Sequence, residues 1–289
     1  MKKLDFIKRS NGRHWVGDGF PVSNIFSYSD IAETVSPFLL LDYAGPHEFA
    51  PTTTHKRGVG PHPHRGFETV TILYQGGVAH RDSGGGGGVI GPGDAQWMTA
   101  GSGLIHEEYH SADYAAQGGI FEAVQLWVNL PAKQKMTPPA YQALTRAQIP
   151  QVALPDGAGS ARILAGELDG QTGPARTTTP MNVWDLRLRA GHTVNVAVTD
   201  GHTASLFVLH GKIGFDAENS VQSAEMAVLE RAGSRITFTV EEDATVLLLS
   251  GQPIDEPIVG HGPFVMNSVA EIEQAMQDYT RGRMGAAPQ

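Results

Sequence analysis

Pro61-His62-Pro63-His64-Arg65-Gly66-Phe67-Glu68-Thr69-Val70 is answered downstream by Gly103-Leu104-Ile105-His106-Glu107-Glu108. In an extended chain alternate side chains share a face, so His62 and His64 point together, as do His106 and Glu108. Two such pairs side by side make a four-ligand metal cage. Three imidazoles and one carboxylate offer only nitrogen and oxygen donors, which suits a divalent first-row metal such as iron, manganese, nickel, copper or zinc. A lone H-x-H amid Pro63, Gly58, Gly60 and Gly66 would describe an ordinary loop with surface histidines. The second pair changes that reading, because each pair abuts an apolar, β-branched run. Residues 70–73 follow the first, and Trp97, Met98, Leu104 and Ile105 precede the second. Both pairs therefore belong at strand ends.

The chain has 289 residues, enough for one large β domain or two ordinary ones with ample core. It contains no cysteine, which excludes disulfides, a thiolate nucleophile and a zinc ribbon, and leaves His and carboxylate as the metal donors. Charged residues open the sequence at Lys2 and Lys3, but no apolar h-region follows and no run of about eighteen apolar residues occurs. A soluble, cytoplasmic protein with no membrane partner is expected. A formal net charge of −9 argues against a broad electrostatic grip on nucleic acid.

With 35 glycines and 18 prolines between short β-branched runs, the sequence reads as mostly antiparallel β. Residues 67–74 form a strand, Gly76-Gly77 a turn, and Val78 starts the return. The five glycines at 84–88 lack the following Lys and helix of a phosphate cradle, and read as a flexible hairpin tip. Residues 121–130 make another strand, ended by Pro131. The proline-rich stretch 131–155 reads as a linker, with at most a short helix around 145–148. Strands resume at 161–166, 181–188, 203–209, 213–216, 226–230, 235–240 and 244–250. Superposing Gly76 on Gly211 makes the second half a copy of the first, with His62 and His64 falling on Ala197 and Thr199. Near 240–244 there is no second ligand pair either, so the copy is expected to lack a metal. Ser268 and Glu271 form a capping box, after which Ile272, Ala275, Met276 and Tyr279 recur at helical spacing and predict a core-facing stripe. Gly282 and Gly285 stop that helix.

Four motifs together resemble the pirin family of the cupin superfamily: H-P-H-R-G-F-E-T-V at 62–70, P-G-D-x-Q-W-M-T-A-G-x-G at 92–103 with His106 and Glu108, Q-L-W-V-N-L at 125–130, and H-G-P-F-V-M-N at 261–267. The likeness runs from about Gly17-Asp18-Gly19-Phe20-Pro21 to the C-terminal helix. It implies an all-β bicupin, with an N-terminal metal-binding cupin domain at 1–135 and a cupin domain without ligands, carrying the C-terminal helix, at 136–289. It also implies one divalent metal per chain on His62, His64, His106 and Glu108. Iron is the first choice, with manganese, nickel, cobalt, copper and zinc as alternatives. Cupins often use a glutamate soon after the second histidine, here Glu68, whereas pirins do not, so Glu68 is expected to support the site or the fold. Position 107, usually small in the family, is Glu here. His110 falls on the ligand face if the strand continues and is assigned to a solvated strand end; His55 and His80 receive no role.

The activity implied by the resemblance is that of a quercetin 2,3-dioxygenase, opening the central ring of a flavonol with O2 and loss of carbon monoxide. Glu108 would take the 3-hydroxyl proton as general base. The alternative is a non-catalytic, metal- or redox-sensing regulatory protein that binds a protein partner. A cupin isomerase would share the same cage. The expected partners are a small aromatic substrate and O2, with no direct nucleic-acid contact, on a monomeric chain.

Overall fold

Short β-branched and aromatic runs, broken by glycine and proline, form antiparallel strands throughout the computed structural model, which describes residues 1–10 and 12–288. The first half of the chain holds β1 (Leu4–Arg9), β2 (Arg13–Val16), β3 (Phe20–Phe26), a short helix α1 (Ala32–Val35), β4 (Phe38–Phe49), β5 (Gly58–His64) and β6 (Phe67–Gln75). Then come β7 (Val78–Asp82), β8 (Gly87–Ile90), β9 (Ala95–Thr99), β10 (Leu104–His110), α2 (Ala112–Gln117), β11 (Gly119–Asn129) and β12 (Ala140–Leu144). The second half holds β13 (Gln151–Ala153), β14 (Gly159–Ala165), the two-residue strands β15 (Glu167–Leu168) and β16 (Gln171–Thr172), β17 (Met181–Leu188), β18 (Thr193–Ala197) and β19 (Thr203–Gly214). It ends with β20 (Ser220–Gln222), β21 (Glu225–Leu229), β22 (Arg235–Gly251), β23 (Val259–His261), β24 (Phe264–Met266) and helix α3 (Val269–Thr280). Among the described residues no helix is long and apolar enough to cross a membrane.

Two compact units result. One comprises Gly12–Glu33, Phe38–Arg146 and Ile254–Gln289, the other Met1–Asn11, Thr34–Pro37 and Ala147–Pro253. In the first unit a seven-stranded sheet ordered β12-β9-β6-β11-β4-β3-β2 accompanies a four-stranded sheet ordered β5-β10-β7-β8. The second unit has a nine-stranded sheet in which β21-β19-β22-β17 repeats the neighbour order β9-β6-β11-β4 of the first. The interior of the second unit is filled with aliphatic and aromatic side chains, including Val194, Val196, Leu206, Val208, Phe238 and Leu248. Ala197 and Thr199, where the histidine pair would fall, are exposed.

The structure divides the chain differently from the contiguous split at 135 and 136. The ends are exchanged: β1 pairs with β21 in the second unit, whereas β23, β24 and α3 belong to the first. Sequence distance says nothing about which sheet edge a terminal segment completes. Nor is 131–155 a plain linker, since β12 pairs with β9 and β13 with β14. Its prolines lie beside these strands and terminate them, and residues 146–148 form a turn, not a helix. The expected strands at 235–240 and 244–250 are one continuous β22, because residues 241–243 are charged but contain no glycine or proline, and the strand exchanges its partner β18 for β17 along its length.

Helix α3 begins as expected, with Ser268 Oγ accepting from the Glu271 amide. Its buried stripe differs. Ile272 and Ala275 pack with Ile105, Phe264, Met266 and Met284, but Met276 and Tyr279 are 43% and 41% exposed. The next buried position is Asp278, which the buried Arg65 reaches through Nη1 at 2.9 Å while its Nε donates to Ser102 O at 2.7 Å. A second buried cation, Lys135, donates to Gly66 O at 2.8 Å, Asn129 Oδ1 at 2.6 Å and Val265 O at 2.9 Å. Together they tie the turn after His64 to the C-terminal segment. Lys135→Met removes the shared donor from three buried acceptors and is expected to cost about 3 kcal/mol. A urea titration checks this: the midpoint should fall at an unchanged slope, and an unmoved midpoint would show that the clamp contributes nothing.

Candidate metal centre

Antiparallel pairing of β10 with β5 sets His106 opposite His62, with an irregularity before Glu108. On its other edge β10 pairs with β7, which sets His106 opposite Asp82 and Glu108 opposite His80. The rings of His62 and His106 lie 4.3 Å apart between centroids, those of His64 and His106 4.8 Å, and those of His62 and His64 4.9 Å. Each of these histidines offers a ligand nitrogen within 4.8 Å of the others. His64 and His106 are buried, and His62 is half-buried.

The second nitrogens explain the orientation. His62 donates from Nδ1 to Gly60 O at 2.8 Å, and His64 Nδ1 lies 3.4 Å from Pro263 O. A carbonyl can only accept, so each ring carries a proton on Nδ1, which in the neutral tautomer leaves the lone pair on Nε2. His106 Nδ1 faces His80 Nδ1 at 3.3 Å, and His106 Nε2 is buried with no hydrogen-bond partner among the described residues. A buried polar atom left unpaired is costly unless a ligand meets it. Burial first, then the neighbouring histidines, hold His64 and His106 well below the ordinary imidazole range, so both rings are neutral, as ligands must be. The residues present therefore fit a divalent metal.

Glu108 lines the same cavity as these histidines but falls outside the group of His62, His64 and His106, joining His106 and His80 instead. Its Oε1 accepts from the Gln96 amide and lies 3.3 Å from the Thr71 hydroxyl. The cluster borders a cavity of about 380 Å³ whose other walls include Val16, Phe20, Val22, Phe121 and Trp127. Asp42 also lines it, with Oδ1 held by Asn24 Nδ2 at 2.8 Å and its carboxyl raised by burial.

Of the remaining sequence candidates, Glu68 is buried, accepts from Thr99 Oγ1 at 2.7 Å and lies outside the cluster. His110 is not a solvated strand end: it is buried among the rings of Phe20, Phe49, Tyr114 and Phe121, with Nε2 2.9 Å from Gly19 O. His55 is exposed and meets Asp18 at 2.5 Å. His80, given no role from sequence, is fully enclosed beside His106, and with His106 and Glu108 it forms a second possible ligand set. The alternation that paired His62 with His64 also pairs His80 with Asp82 on β7, and that signal was available. Burial opposes a charge on His80, but Asp82 and an uncompensated Glu108 carry its pKa up to about 9. A cation bound at Glu108 would remove part of that support.

Two family models match the chain: Pirin over residues 19–128 and the Pirin C-terminal cupin domain over residues 183–285. A protein of Pseudomonas aeruginosa named "Putative quercetin 2,3-dioxygenase" is 53% identical over 283 residues, covering 98% of each chain. The chain belongs to the pirin family. Pirin-1 of Arabidopsis thaliana is 35% identical over 274 residues, 93% of this chain and 90% of that one. The crystal structure of a quercetin 2,3-dioxygenase from Acinetobacter baumannii matches with a TM-score of 0.96 at 52% identity over 99% of each chain. A bacterial pirin from Escherichia coli, solved with nickel(II), is 19% identical with a TM-score of 0.64 over 86% of this chain and 99% of that one, and shares the fold. This pirin is thus a bicupin of the kind its motifs implied.

Alanine in place of His62, His64 or His106 is expected to lower metal occupancy and the melting temperature of the metal-loaded protein, since binding to the folded state stabilises it by mass action. The apo forms should melt closely alike. Metal analysis after desalting, with melts of both forms, tests each residue; full occupancy at unchanged affinity would remove that histidine from the centre.

Proposed function

We propose that this pirin is a metal-dependent dioxygenase that opens a flavonol-like ring with O2, holding one divalent metal, iron first, on His62, His64, His106 and Glu108. The observation that supports the reading is the cavity itself: Val16, Phe20, Val22, Phe121 and Trp127 form apolar walls beside His62, His64, His106 and Glu108, and the buried Nε2 of His106 has no partner among the described residues. A metal held there supplies Lewis-acid contact to a substrate oxygen and an open position for O2.

The chain's own residues do the rest. A volume of about 380 Å³ lies within the roughly 300–1,000 Å³ of pockets that bury small organic ligands. Phe20, Phe121 and Trp127 offer flat apolar surface to aromatic rings, which orients the substrate and excludes water. Gln96 and Thr71 engage Glu108 Oε1, leaving Oε2 to take the proton of the flavonol 3-hydroxyl while the electron pair of the O–H bond stays on the substrate oxygen. Flavonol and O2 together balance the opened ester and carbon monoxide, so no external reductant is required. The names carried by the Pseudomonas and Acinetobacter relatives support this reading.

Glu108→Gln keeps the shape and an oxygen donor but loses charge and basicity. Metal binding should weaken yet remain measurable, while carbon monoxide release per bound metal should fall roughly a hundred- to ten-thousand-fold. Equal release per metal would refute Glu108 as the base. No release by the wild type, loaded with reduced iron or another divalent metal and offered a panel of flavonols under air, would refute the dioxygenase.

A further inference from the structure

His106 differs from the other two clustered histidines. His62 and His64 turn Nδ1 toward backbone carbonyls, whereas His106 turns it toward a side chain, the ring of His80 at 3.3 Å. His80 in turn sets Nε2 3.2 Å from Asp82 Oδ2, and all three residues are buried. We propose that Asp82, His80 and His106 form a hydrogen-bonded relay that fixes which nitrogen of His106 faces the metal, with Asp82 and His80 as positioning residues. The relay rests on the metal-centre reading above.

The assignment follows from donor and acceptor chemistry. The Asp82 carboxylate accepts, so His80 carries a proton on Nε2. A neutral His80 spends its one N–H on Asp82, so its Nδ1 accepts, and the bond to His106 then requires the proton on His106 Nδ1. That leaves His106 Nε2 as the donor to the metal, and Nε2 is the buried atom without a partner. A carboxylate behind a ligating histidine sets its tautomer, its ring orientation and its basicity. Here a second imidazole is inserted between the two.

The surroundings hold the relay in one arrangement. Asp82 Oδ1 accepts from the amides of Gly84 at 2.8 Å and Gly86 at 2.9 Å, which leaves Oδ2 for His80. The glycine run at 84–88, a hairpin tip by sequence, is therefore folded onto this carboxylate. A Cβ on Gly86 would strike Asp82 Oδ2 and come within 2.7 Å of Tyr141 Cβ, and one on Gly87 would meet His80 O at 2.7 Å. Tyr141 stacks on the His80 ring at 5.0 Å and 19°, and its hydroxyl donates to Gln96 Oε1 at 3.2 Å, the residue whose amide holds Glu108. The competing arrangement is a second metal on His80, His106 and Glu108, which would use His106 Nδ1 for coordination instead.

The test uses the full chain loaded with zinc, a diamagnetic probe, and histidine labelled with nitrogen-15. In the wild type His106 Nδ1 should carry a slowly exchanging proton, with one zinc bound per chain. Asp82→Asn and His80→Phe should weaken zinc binding about 10- to 100-fold and lose that proton signal. His80→Gln, whose amide oxygen can still accept from His106 Nδ1, should recover much of both. A His106 Nδ1 without a proton in the wild type, two zinc equivalents per chain, or unchanged affinity in both Asp82→Asn and His80→Phe would overturn the relay. The wild-type spectrum decides the point even where a variant fails to fold. Wild-type zinc affinity in His106→Ala would instead overturn the metal centre itself.

Discussion

The register of β10 between β5 and β7 is the constraint on which the centre depends. One edge of β10 brings His62 and His64, the other brings His80 and Asp82, and His106 stands between them. A slip of one residue would send His106 and Glu108 to the opposite face. Close backbone approach protects the register: Gly58, at φ +154°, lies against the backbone of Glu108 and Tyr109, where a Cβ has no room. The loss of strict pairing between His106 and Glu108 against β5 lets the strand bend without giving up the shared face.

Gathering imidazoles and a carboxylate beside an apolar cavity is costly unless each polar atom has a partner. Backbone carbonyls satisfy Nδ1 of His62 and His64, a side chain satisfies that of His106, and Gln96 with Thr71 engages Glu108. The Nε2 atoms face away from these partners, so the groups behind the histidines determine which nitrogen each can offer a metal. Arg65 and Lys135 serve the same end at a distance, by fixing the turn after His64 to residues of the C-terminal segment. Buried ion pairs such as Arg65 with Asp278 add little net stability over an apolar substitute. What this pair supplies is a fixed place for the backbone that carries His64.

The two units use one strand order for opposite purposes. In the second, apolar side chains from β18, β19 and β22 fill the interior. In the first, Thr71, Gln96 and Gln125 occupy the mutually paired positions that its counterpart gives to Leu206, Ala227 and Leu248. The same architecture can thus enclose an apolar core or a cavity lined by histidines, and the inward-facing side chains decide which.

The sequence by itself determined the β architecture and the duplication, and it singled out His62, His64 and His106, which the fold brings together, and Glu108, which lines the same cavity. Each of these is encoded locally, in alternation along a strand or in glycine and proline between strands. Tertiary structure alone decided which ends complete which unit, because the pairing of β1 with β21 and the docking of α3 depend on edges formed far away in the chain. It also turned Asp278 inward, since the partner that makes a buried carboxylate tolerable, Arg65, lies more than two hundred positions earlier. His80 lay between these cases. Its alternation with Asp82 was visible, but its meaning arose only when β7 paired with β10 and set an imidazole behind His106.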